Sequence, residues 1–165
     1  MRVESGYGSR PDERDPRDRF AFATYWRLRQ GALGIETNGE TMTRDEIVFA
    51  EHMLALGHEL EWLPRDMRTR RPTNDFRWLS NDGIVCELKT TTASYKSIKR
   101  LVSGAVRRAG AQDVVKENFI VNIRGSELTE KLTSQLARYN ERNSAHPITR
   151  LWVMSRGRLA EIVLR

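Results

Sequence analysis

The chain has 165 residues, 39% hydrophobic and 30% charged, with a formal net charge of +6. That length supports one domain with its own core, and the excess of Lys and Arg favours a polyanionic partner, a nucleic acid before an anionic membrane surface. No apolar run approaches the ~20 residues that span a bilayer, there is no signal-peptide pattern, and the single cysteine, Cys86, has no internal disulfide partner. These features argue against a membrane-spanning helix and a disulfide scaffold, and point to a reducing, cytoplasmic site of action.

Residues 1–15 are charged and nearly devoid of apolar side chains, which predicts a disordered tail. A helix is expected over 16–33, with Asp15 as N-cap, Pro16 in the first turn and Gly34 as stop. Its Phe20, Phe22, Tyr25, Trp26 and Leu28 are expected to pack on the main body, with base stacking as the rival reading. Thr43-Arg44-Asp45-Glu46 is a capping box that opens a second helix, ending at Leu56-Gly57. Residues 58–63 alternate as a strand. A basic loop with Arg65, Arg68, Arg70 and Arg71 leads to Pro72.

A hairpin is expected over 76–79 and 83–89, turned by Asn81-Asp82-Gly83. Thr90-Thr91-Thr92 leads into a helix over 94–110 that carries Lys96, Lys99, Arg100, Arg107 and Arg108. Residues 119–123 are apolar except Asn122 and read as a buried central strand. A helix over 126–140, capped by Ser126, precedes two strands, 149–155 and 159–164, joined by Arg156-Gly157-Arg158. The order predicts an α/β fold, a mixed central sheet flanked by helices, in one domain over 16–165 with an extra N-terminal helix.

The chemistry concentrates in the hairpin. Side chains alternate along a strand, so Glu87 and Lys89 share a face, and Asp75 can join them from the partner strand. Two carboxylates beside an ammonium suit a divalent cation, Mg²⁺ or Mn²⁺, held next to a phosphate. The cation polarises a phosphoryl oxygen and lowers the pKa of a water, and the lysine offsets developing charge. Arg68, Arg70 and Arg71 precede Asp75 and read as a phosphate track, with a solvated loop as the bland alternative. A solvated salt bridge is the bland reading of Glu87 and Lys89.

Helix, strand, Asp75, hairpin, Glu87-Leu88-Lys89, helix and strand together resemble the core of the PD-(D/E)xK nuclease superfamily. Asn74 stands where the motif's proline is usual, and Pro72 lies three residues before Asp75. Over about 43–125 the chain also looks like the C-terminal nuclease domains of contact-dependent growth inhibition and polymorphic toxins. The resemblance implies a restriction-endonuclease-like core and metal ligation by Asp75 and Glu87, with Lys89 as the catalytic lysine. It adds Glu46 as a further acidic residue at the metal and Gln112 as a polar residue near the site. Lys96, Lys99 and Arg100 would bind nucleic acid.

The substrate would be RNA, with tRNA favoured by the toxin likeness, or DNA. An acidic immunity protein would be the expected partner of a toxin. A restriction- or resolvase-type DNA enzyme, acting as a homodimer, and a non-catalytic nucleic-acid-binding protein are the alternatives. Glu46 can instead serve only as a helix cap, and Glu51 is the rival acid on the same helix. His52, His58 and His146 lack zinc spacing, and Cys86 reads as buried and unreactive.

Overall fold

The computed structural model describes residues 10–12, 14, 15 and 18–165. Most of the expected tail, and Pro16, lie outside the described residues. The elements are α1 (Arg19–Ala32), α2 (Arg44–Ala55), β1 (Leu60–Trp62), β2 (Phe76–Trp78), β3 (Ile84–Thr90), α3 (Tyr95–Gly110), β4 (Asn118–Asn122), α4 (Glu130–Ala137), α5 (Tyr139–Arg142), β5 (Arg150–Ser155) and β6 (Arg158–Ile162).

The six strands form one sheet in sequence order. β1, β2 and β3 pair antiparallel, β3, β4 and β5 pair parallel, and β6 closes the edge antiparallel. The parallel pairs need long crossovers, and α3 and the α4–α5 segment supply them. β4, at the centre, is buried along its whole length, its apolar Phe119-Ile120-Val121 flanked by two buried asparagines, Asn118 and Asn122.

Two cores result. On one face, α1 and α2 pack over Leu60, Trp62, Phe76, Trp78, Cys86, Leu88, Ile120 and Trp152. Trp62 and Phe76 stack there at 5.7 Å, and Phe49 of α2 meets Phe76 at 5.5 Å. Truncating so buried a ring as Phe76 to alanine removes about 3–5 kcal/mol of stability. On the other face, α3, α4 and α5 cover Phe119, Val121, Leu151 and Val153. The result is helix, sheet and helix in three layers. Tyr25 and Trp26 of α1 are in the core and Phe22 packs against it, which favours packing over base stacking for these rings, whereas Phe20 and Leu28 are exposed, contrary to expectation.

Caps decide several boundaries. Thr43 and Glu46 form the expected capping box reciprocally. Ser94 caps α3 by accepting the Ser97 N–H. Asp15 does not cap α1: the N-cap is Asp18, with no side-chain cap bond. The helix expected over 126–140 starts only at Glu130, because Thr129 accepts the Leu132 N–H while Ser126 closes a turn on Ile123. It then breaks at Arg138 into α4 and α5.

Candidate metal-dependent nuclease site

β2 begins at Phe76, and the residue before it takes over part of the ladder. Asp75 N–H donates to the Cys86 carbonyl at 3.0 Å, and the Asp75 carbonyl accepts the Leu63 N–H at 2.9 Å. With its backbone fixed on both sides, Asp75 turns its carboxylate onto β3, where Oδ2 accepts the Leu88 N–H at 2.8 Å. That N–H would otherwise be left without a strand partner.

Cys86 and Leu88 point into the α2 core, so Glu87 and Lys89 point to the α3 face. Glu87 is buried, its side chain only 4% exposed, and each carboxylate oxygen faces an ammonium. Lys89 Nζ is 2.5 Å from Oε1 and Lys116 Nζ is 2.5 Å from Oε2. Lys89 is the more open of the two at 21%, against 8% for Lys116.

Burial pushes the Asp75 carboxyl up to about 7, and the charge of Glu87 pushes the same way. The Leu88 N–H, Lys89 and Lys116 oppose the rise without cancelling it. Asp75 and Glu87 therefore interact strongly, and a cation shared between them would relieve the repulsion. Asp75 Oδ1 makes no hydrogen bond among the described residues. The oxygen-only donor set suits Mg²⁺ or Mn²⁺, which one or two carboxylates commonly hold while water and phosphate oxygens complete the shell.

Comparison with family models, with curated proteins and with solved structures found no match.

A cavity of about 370 Å³ opens beside Glu87, lined by Arg70, Pro72, Glu87, Ala105, Arg108, Ala111, Gln112 and Lys116. Two expected residues, Arg70 and Gln112, thus meet Glu87 there. Arg71 instead donates to the Asp113 carbonyl at 3.3 Å, tying the basic loop to the end of α3. Arg68 is exposed on that loop. Lys96, Lys99 and Arg100 are exposed and lie off the buried Ile98–Val102–Ala105–Ala109 stripe of α3, and none of them lines the cavity.

Glu46 is not brought to the acid pair in a ligand cluster: no group of three or more His, Cys, Asp or Glu able to hold a metal occurs among the described residues. Its carboxylate accepts the Thr43 N–H at 2.7 Å and pairs with Arg65 at 2.8 Å. The rival acid Glu51 is paired with Arg29.

Lys116 was not singled out in the sequence, and Arg108 was named there only among the basic residues of the 94–110 helix. The signal for Lys116 is its place in the short link between α3 and β4. Parallel pairing sets Phe119 opposite Glu87, so a long side chain just upstream of β4 reaches the same carboxylate. Cys86 is buried, and its thiol is pushed up to about 12 by that burial, which removes it as a nucleophile at neutral pH.

Proposed function

We propose that the chain is a metal-dependent endonuclease of the PD-(D/E)xK kind with Asp75, Glu87 and Lys89 as its reacting groups. The observation that carries this reading is the meeting of the two carboxylates across β2 and β3, with Asp75 on the Leu88 N–H and Lys89 on Glu87. The order α2, β1, Asp75, β2–β3 hairpin with Glu87-Leu88-Lys89, α3, β4 supports a restriction-endonuclease-like core. Mg²⁺ or Mn²⁺ bound at Asp75 and Glu87 would supply Lewis acidity toward a phosphoryl oxygen and a water of lowered pKa. Lys89 stands beside these acids to orient that water and to offset charge on the phosphoryl group. Arg70, Arg108 and Gln112 offer donors for the flanking phosphates.

RNA, tRNA in particular, is the proposed substrate, with DNA as the alternative. The biological role proposed is a bacterial toxin or defence effector. Its neutralising partner would be acidic, to cover a basic surface. No helix among the described residues is long and apolar enough to cross a membrane.

One observation favours a second reading, a non-catalytic nucleic-acid-binding protein: both oxygens of Glu87 are engaged by lysines. Incubating wild type and Glu87→Gln with tRNA, single-stranded RNA and plasmid DNA, in Mg²⁺, Mn²⁺ or EDTA, separates the two. Metal-dependent fragments that vanish in the variant support the nuclease, and the substrate cut identifies its class. Binding without cleavage in any metal overturns it in favour of the binder.

A further inference from the structure

A second cleft, of about 550 Å³, lies between α2 and the turns that follow β4 and β5. It is larger than the cavity at Glu87. It occupies the carboxyl ends of parallel strands, on the sheet face away from Glu87. Arg10, Arg44, Arg124 and Arg156 line it, against one carboxylate, Asp45.

Two of the arginines are held in place. Arg124 pairs with Asp45 at 2.8 Å, so a carboxylate already sits among these cations. Arg156 Nε donates to the Gly125 carbonyl at 3.0 Å, while its two terminal nitrogens have no hydrogen bond among the described residues. Both arginines occupy left-handed backbone, φ 56° and 52°, which asparagine or glycine would adopt with less strain.

Asn122 supplies an independent pointer. It ends β4, is 4% exposed, and lines the cleft. Its Oδ1 accepts the Arg124 N–H at 2.9 Å, which fixes the amide, yet its Nδ2 has no hydrogen-bond partner among the described residues. An unpaired amide donor on the wall of the cleft is open to an acceptor. Fixed guanidinium groups and an amide donor converging on one cleft are the chemistry of a phosphate site.

We propose that this cleft binds a phosphate group, carried by a mononucleotide or by the backbone of a nucleic-acid strand. The proposal is independent of the metal site, and its test runs in EDTA, where cleavage plays no part.

The full chain, ¹⁵N-labelled, is titrated with inorganic phosphate, adenosine 5′-monophosphate, a short single-stranded RNA and a short DNA duplex. The side-chain amide signals of Asn122 shift on binding. Arg124→Asn with Arg156→Asn, both compatible with left-handed backbone, weakens the binding about tenfold or more. For a strand, the double change also lowers the dependence of log affinity on log salt by about two phosphate contacts. Arg156→Asn alone breaks no ion pair and serves as the control for folding, read by its melting curve. Shifts with the mononucleotide support a small-ligand site, and shifts with RNA or DNA only support a backbone track. Asn122 signals unmoved by every probe, or a double variant that binds as wild type does, overturn the proposal.

Discussion

Lys116 Nζ lies 2.5 Å from Glu87 Oε2, across 29 residues of sequence, and both side chains are buried. The pair is a parallel-sheet contact: it exists because β4 returns beside β3. Burying both charges is costly, and their attraction offsets that cost only while both are present. Glu87→Gln leaves two ammoniums facing a neutral amide and is expected to destabilise the protein by about 3 kcal/mol or more. Lys116→Met keeps much of the stem volume and leaves Glu87 paired with Lys89, so its expected cost is smaller. In a double-mutant cycle by urea denaturation, Lys116→Met should be milder in the Glu87→Gln background than in wild type. Additive costs would show that the two charges are not coupled.

The Asp75 carboxyl makes the metal-free protein sensitive to alkali. Its pKa is raised from 3.8 to about 7 on folding, so the folded state holds the proton more tightly than the unfolded state. The sign follows: this contribution is fully present below about pH 4 and is lost as pH rises through about 7. The loss is on the order of a few kcal/mol. In EDTA the urea midpoint should fall between pH 5 and pH 8, and Asp75→Asn, which still accepts the Leu88 N–H, should flatten that slope. A wild-type midpoint that rises over this window would contradict the direction of the shift. Added Mg²⁺ should bind more tightly at the higher pH, where Asp75 is ionised.

Local chemistry was legible, and long-range pairing was not. The Thr43–Glu46 box, Gly34 and Gly57 with positive φ, the Asp82-Gly83 turn and the apolar β4 segment each announce themselves within a few residues. Period-two alternation also separates Glu87 and Lys89 from Cys86 and Leu88. Helix starts differ from expectation at α1, where Asp18 rather than Asp15 is the N-cap and makes no side-chain cap bond, and at α4, where Thr129 rather than Ser126 is the cap. Lys116 and Arg108 depend on the α3 crossover, and the Arg65–Glu46 pair on how the loop after β1 folds back on the start of α2, none of which a local pattern specifies. The strand order decides which charge meets which.

Glu46 is occupied by the helix end and by Arg65, which predicts a variant that spares function. Glu46→Gln retains an oxygen for the Thr43 N–H, and the ion pair it loses involves an Arg65 side chain that is 42% exposed. The expected stability loss is a few tenths of a kcal/mol. Thr43→Ala removes the hydroxyl that accepts the Glu46 N–H and should cost about 1 kcal/mol. If the chain cleaves nucleic acid, Glu46→Gln should cut at a rate within about twofold of wild type, a difference of under about 0.5 kcal/mol in barrier. A drop of about a hundredfold, with the melting temperature unchanged, would instead make Glu46 a participant at the metal.

Cys86 gives an internal gauge of the hairpin. It faces the α2 core from the centre of β3, opposite Phe76, beside the two residues that hold the carboxylate and the lysine. Its thiol is raised to about 12 by burial, so almost no thiolate forms at pH 8, and an alkylating reagent has no path to it in the folded state. Labelling should therefore follow opening of the β2–β3 hairpin, and its rate should fall as stability rises. Glu87→Gln should accelerate labelling, while Glu46→Gln should leave it nearly unchanged, because only the first change removes a charge partner from β3 itself. Rapid labelling of the folded wild type would show that this strand is open to solvent, and the burial that raises the Asp75 pKa would fail with it.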